Sequence, residues 1–175
     1  GTRQRTIWAI VQYFQGWGWE RYPTRDELWA MSYLSIIHGA HGITWYTYGG
    51  WGDNHGVTDT PETWATICAL AGELAKLQDV LVEPTPTQPP APEVITGPAA
   101  DALGQPSLSV LLKSHAGRHY LLAANSAAAA VSCRIPVAAP AGVTALRGER
   151  RIAPDGAGFV DTFPPYGVQV YVWTP

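Results

Sequence analysis

The chain has 175 residues, 46% of them apolar and 14% charged, with a formal net charge of −3; this is enough apolar mass for one domain or two small ones and excludes a disordered chain. Its eleven Lys and Arg residues are scattered rather than clustered, and no apolar run approaches the roughly 20 residues that span a bilayer. The expectation is a soluble chain without a nucleic-acid or membrane partner, secreted or periplasmic if a longer precursor carries a leader.

Eight Trp and eight Tyr exceed what a core needs, and at least half fall within the first 64 residues, which points to an aromatic-lined surface there. Residues 6–14 are almost wholly apolar, the mark of a strand covered on both faces as in a parallel sheet. Gln15 to Tyr22 follow as a loop with Trp17 and Trp19 set between glycines. Pro23, then Thr24 with Glu27 three residues on, spells a capping box, and Leu28, Met31, Leu34 and Ile37 recur at helical spacing until Gly39 offers a left-handed C-cap. A second buried strand is expected at 43–48, then a glycine-rich loop, Gly49 to Gly56, with polar tips. Thr60 and Pro61 start a second helix whose apolar face, Trp64, Ile67, Cys68, Ala71, Leu74 and Leu81, runs to about residue 81.

Five prolines in residues 84–92 make a stiff, extended linker. Beyond it the pattern changes to short β-rich runs at 108–114, 118–124, 130–137, 143–147, 158–163 and 168–173, punctuated by Gly, Pro, Asn and Asp. That is an antiparallel sandwich, with Val168 to Trp173 as a closing strand buried on one face. The domain reading is therefore 1–83, linker 84–92, and sandwich 93–175. The fold class is α/β plus all-β: a partial (β/α)₈-barrel segment of two βα units, then a small antiparallel β-sandwich. Two units cannot close a barrel, which takes eight strands and about 250 residues. Cys68 and Cys133 lack metal-ligand spacing and are expected as buried, small apolar residues; no metal or cofactor is expected.

Trp8 to Phe14, Arg21-Tyr22-Pro23-Thr24, Glu27-Leu28, Met31-Ser32-Tyr33-Leu34, His38-Gly39-Ala40-His41-Gly42-Ile43, Tyr46-Thr47-Tyr48 and the closing strand together resemble the C-terminal part of TIM-barrel glycoside hydrolases of the large retaining clan, those that carry an accessory β-sandwich. The resemblance implies that the two strands are the seventh and eighth of the barrel. It also implies a nucleophilic Glu at the end of the seventh strand, about 5 Å from an acid/base on the fourth. Here that strand ends in Gln12-Tyr13-Phe14, and a carboxamide cannot form a glycosyl ester. Either Glu20 reaches in from the loop, or the catalytic pair lies on other strands, or the barrel no longer hydrolyses.

Trp17, Trp19 and Trp51 sit in loops at the C-terminal strand ends, where flat indoles stack on sugars or cover the barrel mouth. Tyr46 and Tyr48 alternate with Trp45 and Thr47, so one pair faces the barrel interior, and Trp45 reads as core. Glu20 is the only carboxylate of the first loop, either a general acid or a partner of Arg21 or Arg25. Asp53 and His55 either bond sugar hydroxyls or are solvated, His38 and His41 meet the negative end of a helix, and Asp59 and Glu62 are dipole partners of the second helix. Two functions compete. One is the C-terminal region of a glycoside hydrolase acting on O-glycosidic bonds, incomplete for catalysis by itself. The other is a non-catalytic oligomerisation or carbohydrate-binding module. The open sheet edge implies self-association or a second chain that completes the barrel.

Overall fold

The computed structural model describes residues 6–86, 88–139 and 141–175, so the opening pentapeptide and Thr87 of the expected linker lie outside the described residues. The chain divides into two units, Gly1–Lys76 and Leu77–Pro175.

In the first unit, strand β1 (Trp8–Gln12) pairs in parallel with β2 (Gly42–Tyr46), Trp8 opposite Gly42 and Gln12 opposite Tyr46. Helix α1 (Arg25–Ile37) connects them and α2 (Pro61–Ala75) follows, which makes two consecutive βα units and an open arc of parallel sheet. The capping box is formed: the Thr24 hydroxyl accepts from the Glu27 N–H at 3.2 Å and Glu27 Oε2 accepts from the Thr24 N–H at 2.7 Å. Gly39, at φ 95°, ends α1 in the left-handed region.

The periodic positions chosen in α1 are not its most buried ones. Leu28 is fully covered, but Met31, Leu34 and Ile37 are only half-buried, while Trp29, Ser32 and Tyr33 are inside. The reason is polar and long-range: Glu73 of α2 accepts from Trp29 Nε1 at 3.1 Å and from the Tyr33 hydroxyl at 2.5 Å, and Ser32 Oγ accepts from Trp45 Nε1 at 3.0 Å. The face of α2 is likewise rotated by one residue, to Thr63, Ile67 and Leu70, which leaves Trp64 and Cys68 exposed, contrary to the expectation for that cysteine.

Alternation along the strands separates two environments. Val11 and Tyr13 are buried on the helix side, whereas Trp8, Ile10, Thr44 and Tyr46 point the other way and stand exposed, Ile10 at 74%. The second cover expected from the apolar run is therefore not supplied by the described residues, because that side of a barrel strand is packed by the other strands.

The second unit opens with α3 (Gln78–Leu81) and continues as two antiparallel sheets. The larger, ordered β4-β5-β10-β7-β8, comprises β4 (Leu108–His115), β5 (Arg118–Asn125), β10 (Val168–Trp173), β7 (Val143–Ala145) and β8 (Arg150–Ile152); the smaller is β3-β6-β9, made of β3 (Glu93–Thr96), β6 (Val131–Ile135) and β9 (Phe159–Phe163). The core between them gathers Leu121, Val131, Cys133, Ile135, Phe159, Phe163 and Tyr171. A charge crosses it: Asp161 of β9 accepts from the Tyr171 hydroxyl at 2.6 Å and from Arg150 Nη2 at 2.5 Å. Burial and that carboxylate push the Tyr171 phenol well above its ordinary value.

Two strands, β3 and β8, fall outside the expected runs. The expected closing strand is instead central, and the polar Gln169 on its second face is 7% exposed, sheltered by hydrogen bonds with the Arg147 N–H and carbonyl at 2.9 and 2.8 Å. The start of the proline-rich stretch is tied down: buried Lys113 donates to the Glu83 carbonyl and to Thr85 Oγ1, and His115 Nδ1 lies 2.8 Å from Glu83 Oε1.

Candidate carbohydrate site at the strand ends

Both parallel strands deliver their C-terminal ends to the same edge, where residues 13–22 and 47–59 meet. The ladder continues into these loops, with the Tyr13 N–H donating to the Tyr46 carbonyl at 2.7 Å. Gln15 and His55 then exchange both backbone hydrogen bonds, at 3.1 and 2.7 Å, and join the two loops. The approach demands glycine: a Cβ on Gly16 would lie 2.6 Å from Asn54 Cα and from the Asp53 carbonyl.

Each loop tip is a two-residue turn. Gly16 and Trp19 exchange hydrogen bonds at 2.9 Å across Trp17 and Gly18, both at positive φ, the pattern of a type I′ turn. Trp51 and Asn54 do the same across Gly52 and Asp53, with positive φ at Gly52 alone, as in type II′. Trp17 at φ 50° is a bulky residue in backbone space that favours glycine. Its indole, 53% exposed, lies near-parallel to Tyr46 (28°, centroids 6.1 Å apart) and edge-on to Phe14 at 5.4 Å. Phe14 meets Tyr46 at 5.9 Å and 89°.

The structure thus brings Trp17 and Tyr46 together and adds Phe14, which sequence reading had counted only as strand. Trp19 and Trp51 are exposed at the turn tips, Trp51 at 82%. Tyr48 is exposed on the α2 side, edge-on to Trp64 at 6.3 Å, and not in the Trp17 cluster. The Glu20 side chain is exposed and its carbonyl accepts from Gln15 Nε2 at 2.9 Å. Arg21 forms a bidentate pair with Glu27 at 2.7 and 2.8 Å, and the Arg25 guanidinium sits 4.6 Å over the Trp29 ring, so both cations serve helix α1.

Asp53 and His55 are exposed at the second tip, His55 Nδ1 3.4 Å from Asp59 Oδ2. Asp59 does more than face the helix dipole, because its carboxylate accepts from the Gly50 and Gly56 N–H groups at 3.2 and 3.0 Å and closes the second loop. Those bonds, the one from Gly56 foremost, hold its carboxyl below the usual range. Tyr22 braces the same loop by donating to the Gly56 carbonyl at 2.9 Å. Gln12, where the resemblance places a nucleophile, lies opposite Tyr46 on the open face, its carboxamide nitrogen 3.5 Å from the Phe14 carbonyl. Among the described residues no three His, Cys, Asp or Glu side chains converge as metal ligands would.

No family model matches this chain, and no curated protein does. Solved structures share its fold. An alpha-amylase from Geobacillus thermoleovorans, complexed with acarbose, superposes with a TM-score of 0.57 at 12% identity over 87% of this chain and 34% of that one. A GH30 endoxylanase from Clostridium papyrosolvens gives 0.51 at 17% identity over 98% of this chain and 42% of that chain. AmyP in complex with maltose gives 0.54 at 8% identity over 86% and 35%. The chain thus shares the fold of part of these proteins, two parallel βα units followed by a β-sandwich, and spans about a third of the length of the alpha-amylase and of AmyP.

Proposed function

We propose that the chain is the carbohydrate-facing C-terminal region of a glycoside hydrolase-like barrel acting on O-glycosidic bonds, in which residues 15–22 and 49–56 form part of the sugar-binding mouth. One observation carries this: Trp17 is held at φ 50° on the C-terminal edge of the parallel strands with its indole half exposed and Tyr46 beside it. Barrel enzymes build their sites on that edge, and residues held in sparsely populated backbone regions cluster at functional sites. The alpha-amylase and AmyP, alike in fold, were solved with acarbose and with maltose, which supports a saccharide as the ligand class. Trp19, Trp51, Asp53 and His55 at the two loop tips extend the same surface, and Tyr48, turned toward α2 beside Trp64, would meet a sugar only at its margin.

Glu20 is the carboxylate of this chain assigned to catalysis, as an acid beside Trp17 and Trp19. Its test is Glu20→Gln in the whole barrel protein: aryl-glycoside turnover falls at least a hundredfold, by the scale of lost general acid catalysis, and unchanged turnover removes the assignment. A second reading, a carbohydrate-binding module without catalysis, is favoured by Gln12, a carboxamide at the strand end where the resemblance wants a nucleophile. Among the described residues nothing covers Trp8 and Ile10 of the open face, which are 66% and 74% exposed, so the chain studied alone is expected to self-associate. A monodisperse monomer at micromolar concentration in light scattering contradicts that.

A further inference from the structure

The outward face of the five-stranded sheet carries a groove of about 270 Å³, lined chiefly by Arg118, Gly142, Thr144, Arg151, Val172 and Thr174. That is just under the roughly 300 Å³ at the small end of ligand pockets. Register explains how four strands build it. Leu121, Tyr171 and Ala145 form one row across β5, β10 and β7, and all three are buried in the sandwich core. The adjacent row, Tyr120, Val172, Thr144 and Arg151, points to the opposite side. Arg118 is two residues from Tyr120 on the same strand and shares that face. Two guanidinium groups, one from β5 and one from β8, therefore flank a floor of Val172 with the hydroxyls of Thr144 and Thr174.

The charge of these two arginines is not spent inside the protein. Arg134 pairs with Asp155 at 2.9 Å and Arg150 with Asp161 at 2.5 Å. Among the described residues the Arg118 guanidinium makes no hydrogen bond or ion pair, and Arg151 donates to the Ala141 carbonyl at 2.8 Å and meets no carboxylate. Two forked cations without a carboxylate partner at one small concavity match a planar oxyanion, which accepts parallel N–H bonds from such forks. Hydroxyls beside them match a ligand that carries its own hydroxyls.

We propose that this groove is a second saccharide site, specific for an acidic sugar residue whose carboxylate lies between Arg118 and Arg151 while Thr144 and Thr174 take ring hydroxyls. The choice of a sugar rests on the carbohydrate reading of the first unit, whereas the anion preference stands on the two arginines alone.

Calorimetric titration of the full chain with trigalacturonic acid, neutral maltotriose and inorganic phosphate tests it. Trigalacturonic acid is expected to bind at least about tenfold more tightly than inorganic phosphate, and its binding is expected to weaken at least about tenfold in Arg118→Ala and in Arg151→Ala. Trp17→Ala, which disables the barrel mouth, leaves that affinity unchanged and lowers maltotriose affinity. Trigalacturonate binding that survives both arginine substitutions, or that is lost in Trp17→Ala alone, overturns the proposal. Phosphate binding as tight as the uronate identifies a plain oxyanion site and overturns the saccharide assignment while leaving the barrel-mouth reading intact. Unfolding midpoints of the exposed-arginine variants, expected to equal that of the parent, separate loss of binding from loss of fold.

Discussion

Replacing Trp17 by glycine separates a sugar platform from a packing residue. At φ 50° the left-handed backbone disfavours an L residue by roughly 1–2 kcal/mol, which glycine relieves. Glycine brings back about 0.5–1 kcal/mol of unfolded-state entropy. The lost ring contacts to Phe14 and Tyr46 are worth about 0.5–1.5 kcal/mol each when fully buried, roughly half of which applies to an indole 53% exposed, and the buried half of the ring contributes a further ~2–3 kcal/mol by area. The sum is a loss of about 1–4.5 kcal/mol, a fall in Tm of roughly 2–18 °C for a 175-residue chain. Oligosaccharide affinity, in contrast, loses the stacking indole, about 1–3 kcal/mol or roughly 5- to 150-fold. Trp17→Ala loses the same ring and keeps a Cβ at positive φ, so it is less stable than Trp17→Gly by about 1 kcal/mol while binding equally poorly. Differential scanning calorimetry and calorimetric titration with maltotriose and xylotriose give both quantities. A folded glycine variant that melts lower and binds both saccharides as tightly as the parent makes Trp17 a packing residue and refutes the reasoning.

Other parts of the molecule make equally definite predictions. Glu27, held down to about 2 chiefly by Arg21 and then by the Thr24 N–H, contributes stability that is complete above about pH 4.5 and vanishes as pH falls through 2. With Arg21 solvent-screened this is worth about 1 kcal/mol, so denaturant titrations should show Glu27→Gln less stable than the parent by that amount at pH 7 and equal to it at pH 2. Asp161→Ala strands the Tyr171 hydroxyl in the sandwich core and is expected to lose about 3 kcal/mol; Tyr171→Phe should then cost less in that background than in the parent, and strict additivity in urea unfolding contradicts the network. A thiol reagent is expected to modify exposed Cys68 in the native chain and buried Cys133, whose thiol is pushed up by burial, only after unfolding; equal rates contradict the packing of the sandwich.

The parallel strands and their helices were legible because each carries a local signature: an unbroken apolar run for β1, and Thr24 with Glu27 for the start of α1. The buried face of α1 was not, because it is chosen by Glu73, which lies 44 residues from Trp29 and 40 from Tyr33 and takes a hydrogen bond from each. Periodicity counts apolar residues and does not see a distant carboxylate. Short β8, reading Arg150-Arg151-Ile152, has too few residues for alternation to register. Gln169 hid the central place of β10, since a carboxamide sheltered by the Arg147 backbone reads in sequence as a solvent-facing residue. At the strand ends the aromatic loops were visible from composition, and their joining was not. It depends on Gly16 fitting against Asn54 and on Asp59 gathering two glycine N–H groups, contacts between residues far apart in sequence or hidden in an apparent helix start. Nor does a Trp-Gly pair announce a type I′ turn, whose usual first residue is Asn, Asp or Gly.

The carbohydrate reading is tested most directly by following the indole N–H resonances of the chain by NMR during titration with maltotriose and xylotriose. Trp17 and Trp19 are expected to shift with saturation while Trp29 and Trp173, both buried, stay fixed. Saturating shifts confined to residues away from the strand ends, or no shift at Trp17 with either saccharide at millimolar concentration, would contradict it.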